Sequence, residues 1–388
     1  MKQQIAIIGS TGSIGTSLLS LIDPKDFTIV FLAANKNYKK LLSQAKRFNV
    51  KNLILTNMNS YNKAIKSNKN KKINFFNNFD FLNKIIKKKL DYVMSSFTGI
   101  DGLKPTYEII KYTKKIAIAN KESLICAWPL IKKELKINST EFIPVDSEHF
   151  SIWSEIKNTK TKFIKKVYLT ASGGPLLNYN HKFLNKVKLS TILKHPTWKM
   201  GKKISVDSAT MMNKCFEVME AKNIFNLKYN QIDILVHPSS YVHAIIEYKN
   251  GLSKLVLHDT SMKIPIFNTI YAKDKSHKVL RSLQINKLNE ISFKKISTRK
   301  FPVTKILNKM PRKHSLFETV IVSINDCIVN NYLNKKAKFS NISRFILKSI
   351  DSNLYKQYKS IYPKNITEII KLNNKIKYDF ETFKKNFD

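Results

Sequence analysis

The sequence predicts an α/β protein in three parts: an N-terminal Rossmann-like nucleotide-binding domain, a central α+β domain and a C-terminal helical bundle. Three observations predict it. Strand-like and helix-like segments alternate through the first third of the 388 residues, a pattern that builds a mostly parallel sheet covered on both faces. From about Glu141 strand-like stretches become more widely spaced. Beyond about Phe301 only helical apolar spacing remains. The expected boundaries are 1–144, 145–298 and 299–388.

Taken in order, QIAIIG is a buried strand, SIGTSLLSLI a helix, FTIVFLAA a strand and YKKLLSQAKRF a helix, while NLILT, YVMSS and KIAIAN are further short strands. The Asn/Lys-rich run Ser67–Asn78 reads as a loop or frayed helix end. EFIPVD, KKVYLTAS, IDILVH, AIIEY and LSKLVLHD are the strands expected in the second sheet. LFETVIVSINDCIVNNYL, ISRFILKSI and ITEIIKLNNKI have the spacing of bundle helices.

Composition narrows the function classes. A formal charge of +42 suggests nucleic acid or an anionic membrane. The Lys excess, however, travels with abundant Asn, Ile, Phe and Tyr and touches every segment. It therefore reads as solvated surface charge that favours anionic small substrates, with neither nucleic acid nor membrane as partner. Cys126, Cys215 and Cys327 form no paired motif, which argues for a reducing compartment. The chain opens directly into a strand pattern and no apolar run reaches membrane-spanning length, so a cytoplasmic location is expected.

Several segments carry chemistry. Gly9, Gly12 and Gly15 follow the first strand and open a helix, letting backbone N–H groups approach a pyrophosphate. After the second strand, Asn35, Lys36 and Asn37 stand where an NAD site would place an acid, so NADPH is favoured. Asn120, Lys121 and Glu122 close another strand on the side where ligands bind in open α/β sheets; a polar helix entry is the alternative. Asp146 and Glu148, two apart on an expected strand end, would point the same way and with Glu217 make an all-oxygen site for Mg²⁺ or Mn²⁺; an exposed acidic turn is the competing reading, and the pair alone favours it. Ser172 in a Ser-Gly-Gly turn is a candidate phosphate cradle. GKKISVDSAT reads as an extended piece turning into a helix at Asp207-Ser208, after which Asn213, Lys214 and Glu217 share a face. A capped surface helix with an ion pair is the competing reading there.

Together GSTGSIG, ANKESL, PVDSEH, LT-x-SGGP, HP-x-W-x-MG-x-KISVDSATMMNK and VHPSSYVH resemble, in order and approximate spacing, the 1-deoxy-D-xylulose 5-phosphate reductoisomerase family. The resemblance is dense over the first two domains and loose over the bundle. It implies NADPH- and metal-dependent rearrangement and reduction of 1-deoxy-D-xylulose 5-phosphate to 2-C-methyl-D-erythritol 4-phosphate, with Mg²⁺, Mn²⁺ or Co²⁺, in a homodimer. It implies Thr11, Gly12, Ser13, Ile14, Asn35, Lys36, Asn37, Asn120, Glu122 and Gly201 for NADPH and Asp146, Glu148 and Glu217 for the metal. For the phosphosugar substrate it implies Lys121, Ser147, Glu148, Ser172, His195, Ser208, Asn213, Lys214 and Glu217. The segment around His195, Trp198 and Met200 is similar to the family's mobile lid, which also contains Lys199. Three positions depart from the family pattern: Asn35 and Ala171 stand where Gly is usual, and Cys215 where a small residue is common. Asn325-Asp326 loosely echoes an Asn-Glu pair of the family.

Overall fold

The computed structural model describes residues 2–68, 72–157, 159, 161–180, 184, 187–198, 200–271 and 284–384. The chain divides into two compact units, one of residues 1–123, 129–150 and 262–281, the other of 124–128, 151–261 and 282–388. Lys199 lies outside the described residues.

The first unit is built on seven strands: β1 (Gln3–Ile8), β2 (Phe27–Ala34), β3 (Asn52–Leu55), β4 (Asn74–Phe76), β5 (Tyr92–Ser95), β6 (Lys115–Ile118) and β7 (Glu141–Pro144). Their order is β4-β3-β2-β1-β5-β6-β7 and every pair is parallel. Ile5, Ile7 and Ile8 of β1 are wholly buried, as a parallel strand covered on both faces requires. The order reverses beside β1, which puts the glycine turn that follows it at the topological switch point, where α/β sheets bind ligands. One core joins Ile5, Ile7, Leu18, Leu32 and Leu53 to Ile266 and Phe267. The last two lie on the helix Lys263–Ile270, so a late stretch of chain returns to the first unit. Tyr92 and Thr269 share a buried hydroxyl–hydroxyl hydrogen bond of 2.7 Å there.

Two sequence expectations change here. EFIPVD was expected in the second sheet, yet Glu141–Pro144 pairs parallel with β6 as an edge strand of the first. Its alternation is compatible with either sheet, and the pairing partner decides. The run 67–78, expected as a loop or frayed helix end, begins with the last residue of the helix Met58–Ser67 but also contains β4, whose Asn74 side chain donates to Asn52 Oδ1 at 3.1 Å. Polar residues are ordinary on an edge strand, where one row of backbone groups faces water.

The second unit carries a mixed sheet, β11-β10-β8-β9-β12, of β8 (Ile164–Ala171), β9 (Ile232–Val236), β10 (Val242–Tyr248), β11 (Ser253–Leu257) and β12 (Lys294–Lys295). Only β8 and β9 run parallel. Helices Phe317–Leu333, Phe339–Asp351 and Ile366–Lys384 form the expected bundle. The first of these is buried along most of its length, with polar Glu318, Asn325 and Asp326 among its apolar residues, which makes it the bundle's central element. Gly201–Thr210 is not an extended piece. Lys202–Thr210 is a helix with Gly201 as N-cap, so Asp207 and Ser208 lie in its last turn rather than at its start. Met211, at φ 72°, breaks the chain there, and a second helix runs Met212–Ile224. Among the described residues, no helix is long and apolar enough to cross a membrane.

The glycine turn yields a direct test. A Cβ on Gly15 would lie 2.5 Å from both the carbonyl oxygen of Gly9 and Cα of Ser10, so backbone would have to move. Gly15→Ala is expected to cost about 1–3 kcal/mol, read as a lowered urea midpoint.

Candidate active site

In the first unit, the Gly9–Gly15 turn is shaped by close packing. Gly9 has φ +88°, and a Cβ there would lie 2.8 Å from the Ser96 carbonyl. The helix Ser13–Leu21 starts at Gly12 with no side-chain cap and no acid in its first turn. Its first N–H groups therefore suit an anion rather than repel one. Ser10 donates to Gln44 Oε1 and Gln44 Nε2 donates back to the Ser10 carbonyl, both at 2.8 Å. Lys40 donates to the Thr11 carbonyl at 3.0 Å. These braces come from the next helix, Tyr38–Phe48, and no spacing rule singles them out. Thr11 and Ile14 are half-buried, while Gly12 and Ser13 are exposed.

Asn35, Lys36 and Asn37 are exposed at the end of β2. Asn35 donates to Thr56 Oγ1 at 2.8 Å, and Asn37 Oδ1 accepts the Lys40 N–H at 3.1 Å as the cap of its helix. Asn35 is not among the described residues at positive φ, so Asn in place of Gly puts no strain on this backbone.

Asn120 caps the helix Lys121–Ile137 and is buried. Its amide donates to the carbonyls of Phe97 and Gly99, and its oxygen accepts the Ser123 N–H. This fixes the direction in which Lys121 and Glu122 leave the sheet. Lys121 forms an ion pair with Asp146. Ser147 donates to Glu148 Oε2 at 2.6 Å. The expectation of a strand end at these acids is corrected: β7 stops at Pro144, and Glu148 lies in the first turn of the helix Ser147–Ile156. A carboxylate is favourable against the positive end of that helix. His149 is wholly buried, its Nδ1 3.8 Å from Asp146 Oδ2.

In the second unit, β8 leads into Ser172, Gly173 and Gly174, the glycines at φ +86° and +67°. Ala171 is not at positive φ, so its methyl is tolerated. The Gly174 N–H donates to Ser172 Oγ at 3.0 Å, and a Cβ on Gly174 would lie 2.9 Å from the carbonyl oxygen of Ser208. Glycine is what lets the Ser172 turn touch the end of the Lys202–Thr210 helix. Ser172 also meets His195 Nε2 at 3.0 Å, while His195 Nδ1 accepts the Trp198 N–H at 3.0 Å. With Nδ1 accepting, the ring proton sits on Nε2 and points to Ser172. Burial depresses the imidazole pKa to about 4, so the ring is neutral at pH 7. Trp198 is half-buried, its ring 6.1 Å from His243 in an edge contact. His243 in turn stacks on His258 at 3.7 Å. This aromatic rest for Trp198 comes from distant sequence and was not anticipated.

Beyond Met211, Asn213 Nδ2 donates to Glu217 Oε1 at 2.5 Å and Lys214 forms an ion pair with Glu217. Glu217 and Lys214 are only 1% and 5% exposed. The helix face expected from spacing is therefore present, but buried, which removes the surface-helix reading. Cys215 on the same helix is fully buried, and burial pushes its thiol pKa far up, so the departure there is an inert packing residue. Within the second unit the fold thus gathers Ser172, His195 and Ser208, with Asn213, Lys214 and Glu217 just past the helix break.

The depressed His195 pKa has a sign. The unfolded chain binds a proton near pH 6.5 and the folded chain only near 4, so stability falls as pH drops through that window. The stability difference between wild type and His195→Gln is expected to move against wild type between pH 7 and 4.5 in urea titrations. A difference independent of pH contradicts the neutral, buried imidazole.

Residues 5–128 match the family described as 1-deoxy-D-xylulose 5-phosphate reductoisomerase, 142–225 its C-terminal domain and 257–378 the DXP reductoisomerase C-terminal domain. A 1-deoxy-D-xylulose 5-phosphate reductoisomerase from Pelagibacter ubique (strain HTCC1062) is 54% identical over 96% of this chain and 97% of its own length. The enzyme of that name from Chloroherpeton thalassium is 36% identical over 89% of this chain and 90% of its own. Among solved structures, the reductoisomerase from Zymomonas mobilis in complex with NADPH superposes with TM-score 0.86 at 28% identity, covering 97% of this chain and 98% of that one. A DOX-P reductoisomerase in complex with NADPH, fosmidomycin and magnesium gives 0.89 at 28% identity, covering 97% of each.

Proposed function

Because the chain belongs to the 1-deoxy-D-xylulose 5-phosphate reductoisomerase family, we propose a residue-level account of its reaction, the NADPH- and divalent-metal-dependent conversion of 1-deoxy-D-xylulose 5-phosphate to 2-C-methyl-D-erythritol 4-phosphate. The observation that carries the account is the buried Glu217 held by Asn213 and Lys214. A carboxylate and an ammonium buried together on one helix face suit a site that handles a cation and a phosphate; a packed core does not need them.

Asp146, Glu148 and Glu217 hold the metal in this reading. An all-carboxylate set suits a hard cation such as Mg²⁺ or Mn²⁺, with Co²⁺ as a further fit. The hydrogen bonds from Ser147 to Glu148 and from Asn213 to Glu217 support it, since such bonds orient ligating oxygens. When bound, the metal supplies Lewis-acid polarisation of the substrate's ketone and hydroxyl oxygens, and NADPH supplies the hydride. Lys121 contributes fixed positive charge toward the oxygen on which negative charge develops. Ser172, Ser208, Asn213 and Lys214 bind the phosphate, with His195 beside them. The neutral imidazole donates from Nε2, so His195 contributes a directed hydrogen bond and no charge. Binding the phosphate away from the reacting carbons supplies energy for orientation and for closure of the segment containing Trp198.

Thr11, Gly12, Ser13 and Ile14 cradle the NADPH pyrophosphate, and Lys36 with Asn35 and Asn37 receives its 2′-phosphate. Asn120, Glu122 and Gly201 complete that shell. A homodimer in the cytoplasm, with a nucleotide domain, a catalytic domain and a helical domain, completes the account; the family resemblance supports it.

The defining assay is oxidation of NADPH that depends on both the ketose phosphate and Mg²⁺ and is abolished by a chelator. Asp146→Asn, Glu148→Gln and Glu217→Gln are each expected to remove most turnover and weaken Mg²⁺ binding; near-wild-type rates at limiting metal in two of the three would remove the metal assignment. Wild type should use NADPH far better than NADH, and Lys36→Asp should narrow or reverse that preference in kcat/KM.

A further inference from the structure

The helix that ends at Ser208 is anchored from behind by charge. Consecutive helix residues point about 100° apart, and Asp207, next to half-buried Ser208, faces inward with 2% exposure. Its Oδ1 accepts a 2.9 Å hydrogen bond from Nδ2 of Asn325, itself fully buried on the helix Phe317–Leu333. Its Oδ2 lies 3.4 Å from Lys203 Nζ, one turn earlier on its own helix. Lys203 Nζ in turn pairs with Asp326 Oδ1 at 2.8 Å. Asn325 and Asp326 thus grip one helix at two levels, through its first turn at Lys203 and its last at Asp207.

Such a grip costs more than apolar packing would, since a buried carboxylate must be fully matched. What it adds is direction: a hydrogen bond fixes helix rotation and register in a way that apolar contacts do not. Rotation matters here because Ser208 lies on the adjoining position and its carbonyl is already in contact range of Gly174. We propose that Asn325 is a positioning residue for the phosphate end of the substrate site, acting through Asp207 to set the rotation of the helix that presents Ser208. The inference rests on the assignment of Ser208 to the substrate phosphate.

The test is steady-state kinetics on the full-length enzyme with Mg²⁺. Asn325→Asp replaces the donor with a second carboxylate facing Asp207. It is expected to raise KM for the ketose phosphate about fivefold or more, the scale of a charge-assisted hydrogen bond lost from binding, while kcat and KM for NADPH change less than about twofold. The exchange variant Asp207→Asn/Asn325→Asp restores a donor–acceptor pair at unchanged net charge and should recover most of the loss. A purely structural role would instead lower thermal stability and kcat and raise KM for both substrates together, and that outcome overturns the proposal. If Asn325→Asp does not fold, Asn325→Ser, which shortens the donor without adding charge, must show the same selective rise. Ser208→Ala separates the two readings. If it raises the substrate KM while the Asn325 variants do not, the positioning inference is wrong and the phosphate assignment stands. If Ser208→Ala leaves the substrate KM unchanged, the phosphate assignment itself fails, and the positioning inference with it.

Discussion

Glu217 sets the terms for the rest of the second unit. A carboxylate at 1% exposure loses nearly all of its hydration, a penalty of several kcal/mol unless charge and hydrogen bonds replace the water. The helix supplies both from its own preceding turn, Asn213 at i−4 and Lys214 at i−3. The helix that carries all three begins just before them. The start is forced at Met211, a non-glycine residue in the left-handed region and 2% exposed. Backbone strain of this kind costs on the order of 1–3 kcal/mol and persists only where surrounding packing holds it.

The break at Met211 also lets two short helices do what one long helix could not. On a continuous helix, Ser208 and Glu217 would be spaced by rigid geometry. With the break, the Ser208 end can close against the Gly174 turn while the following helix carries its buried acid. The donors then sort by charge. His195 is kept neutral by burial and offers one directed N–H, whereas Lys214 carries the positive charge. A second fixed cation in the same place would favour any anion; a neutral donor adds geometry, and geometry discriminates.

Much of this was legible in the sequence where the pattern is local. Five strands of the first sheet (β1, β2, β3, β5 and β6), its glycine turn and the bundle helices follow from periodicity and turn chemistry, and the shared face of Asn213, Lys214 and Glu217 follows from their spacing. What was not legible depends on partners far along the chain. Glu141–Pro144 alternates like any strand, and only its pairing with β6 assigns it to the first sheet. The stretch after Gly201 contains β-branched Ile204 and Val206 beside Ser205, so local propensity disfavours a helix. Burial of Val206 and the tethers on Asp207 override that preference. The contact of His195 with Ser172, and the return of Lys263–Ile270 to the first core, leave no local trace at all.

In the proposed reaction, the buried charge of Glu217 belongs to a divalent-cation site completed by Asp146 and Glu148. Anomalous diffraction from crystals grown with Mn²⁺ decides whether the three carboxylates share one ion. The expected result is a single strong Mn²⁺ peak ligated by carboxylate oxygens of all three residues, with the Lys214 ammonium out of direct contact with the metal. A peak elsewhere, or Glu217 still paired only with Lys214 while Mn²⁺ sits on other groups, would contradict it.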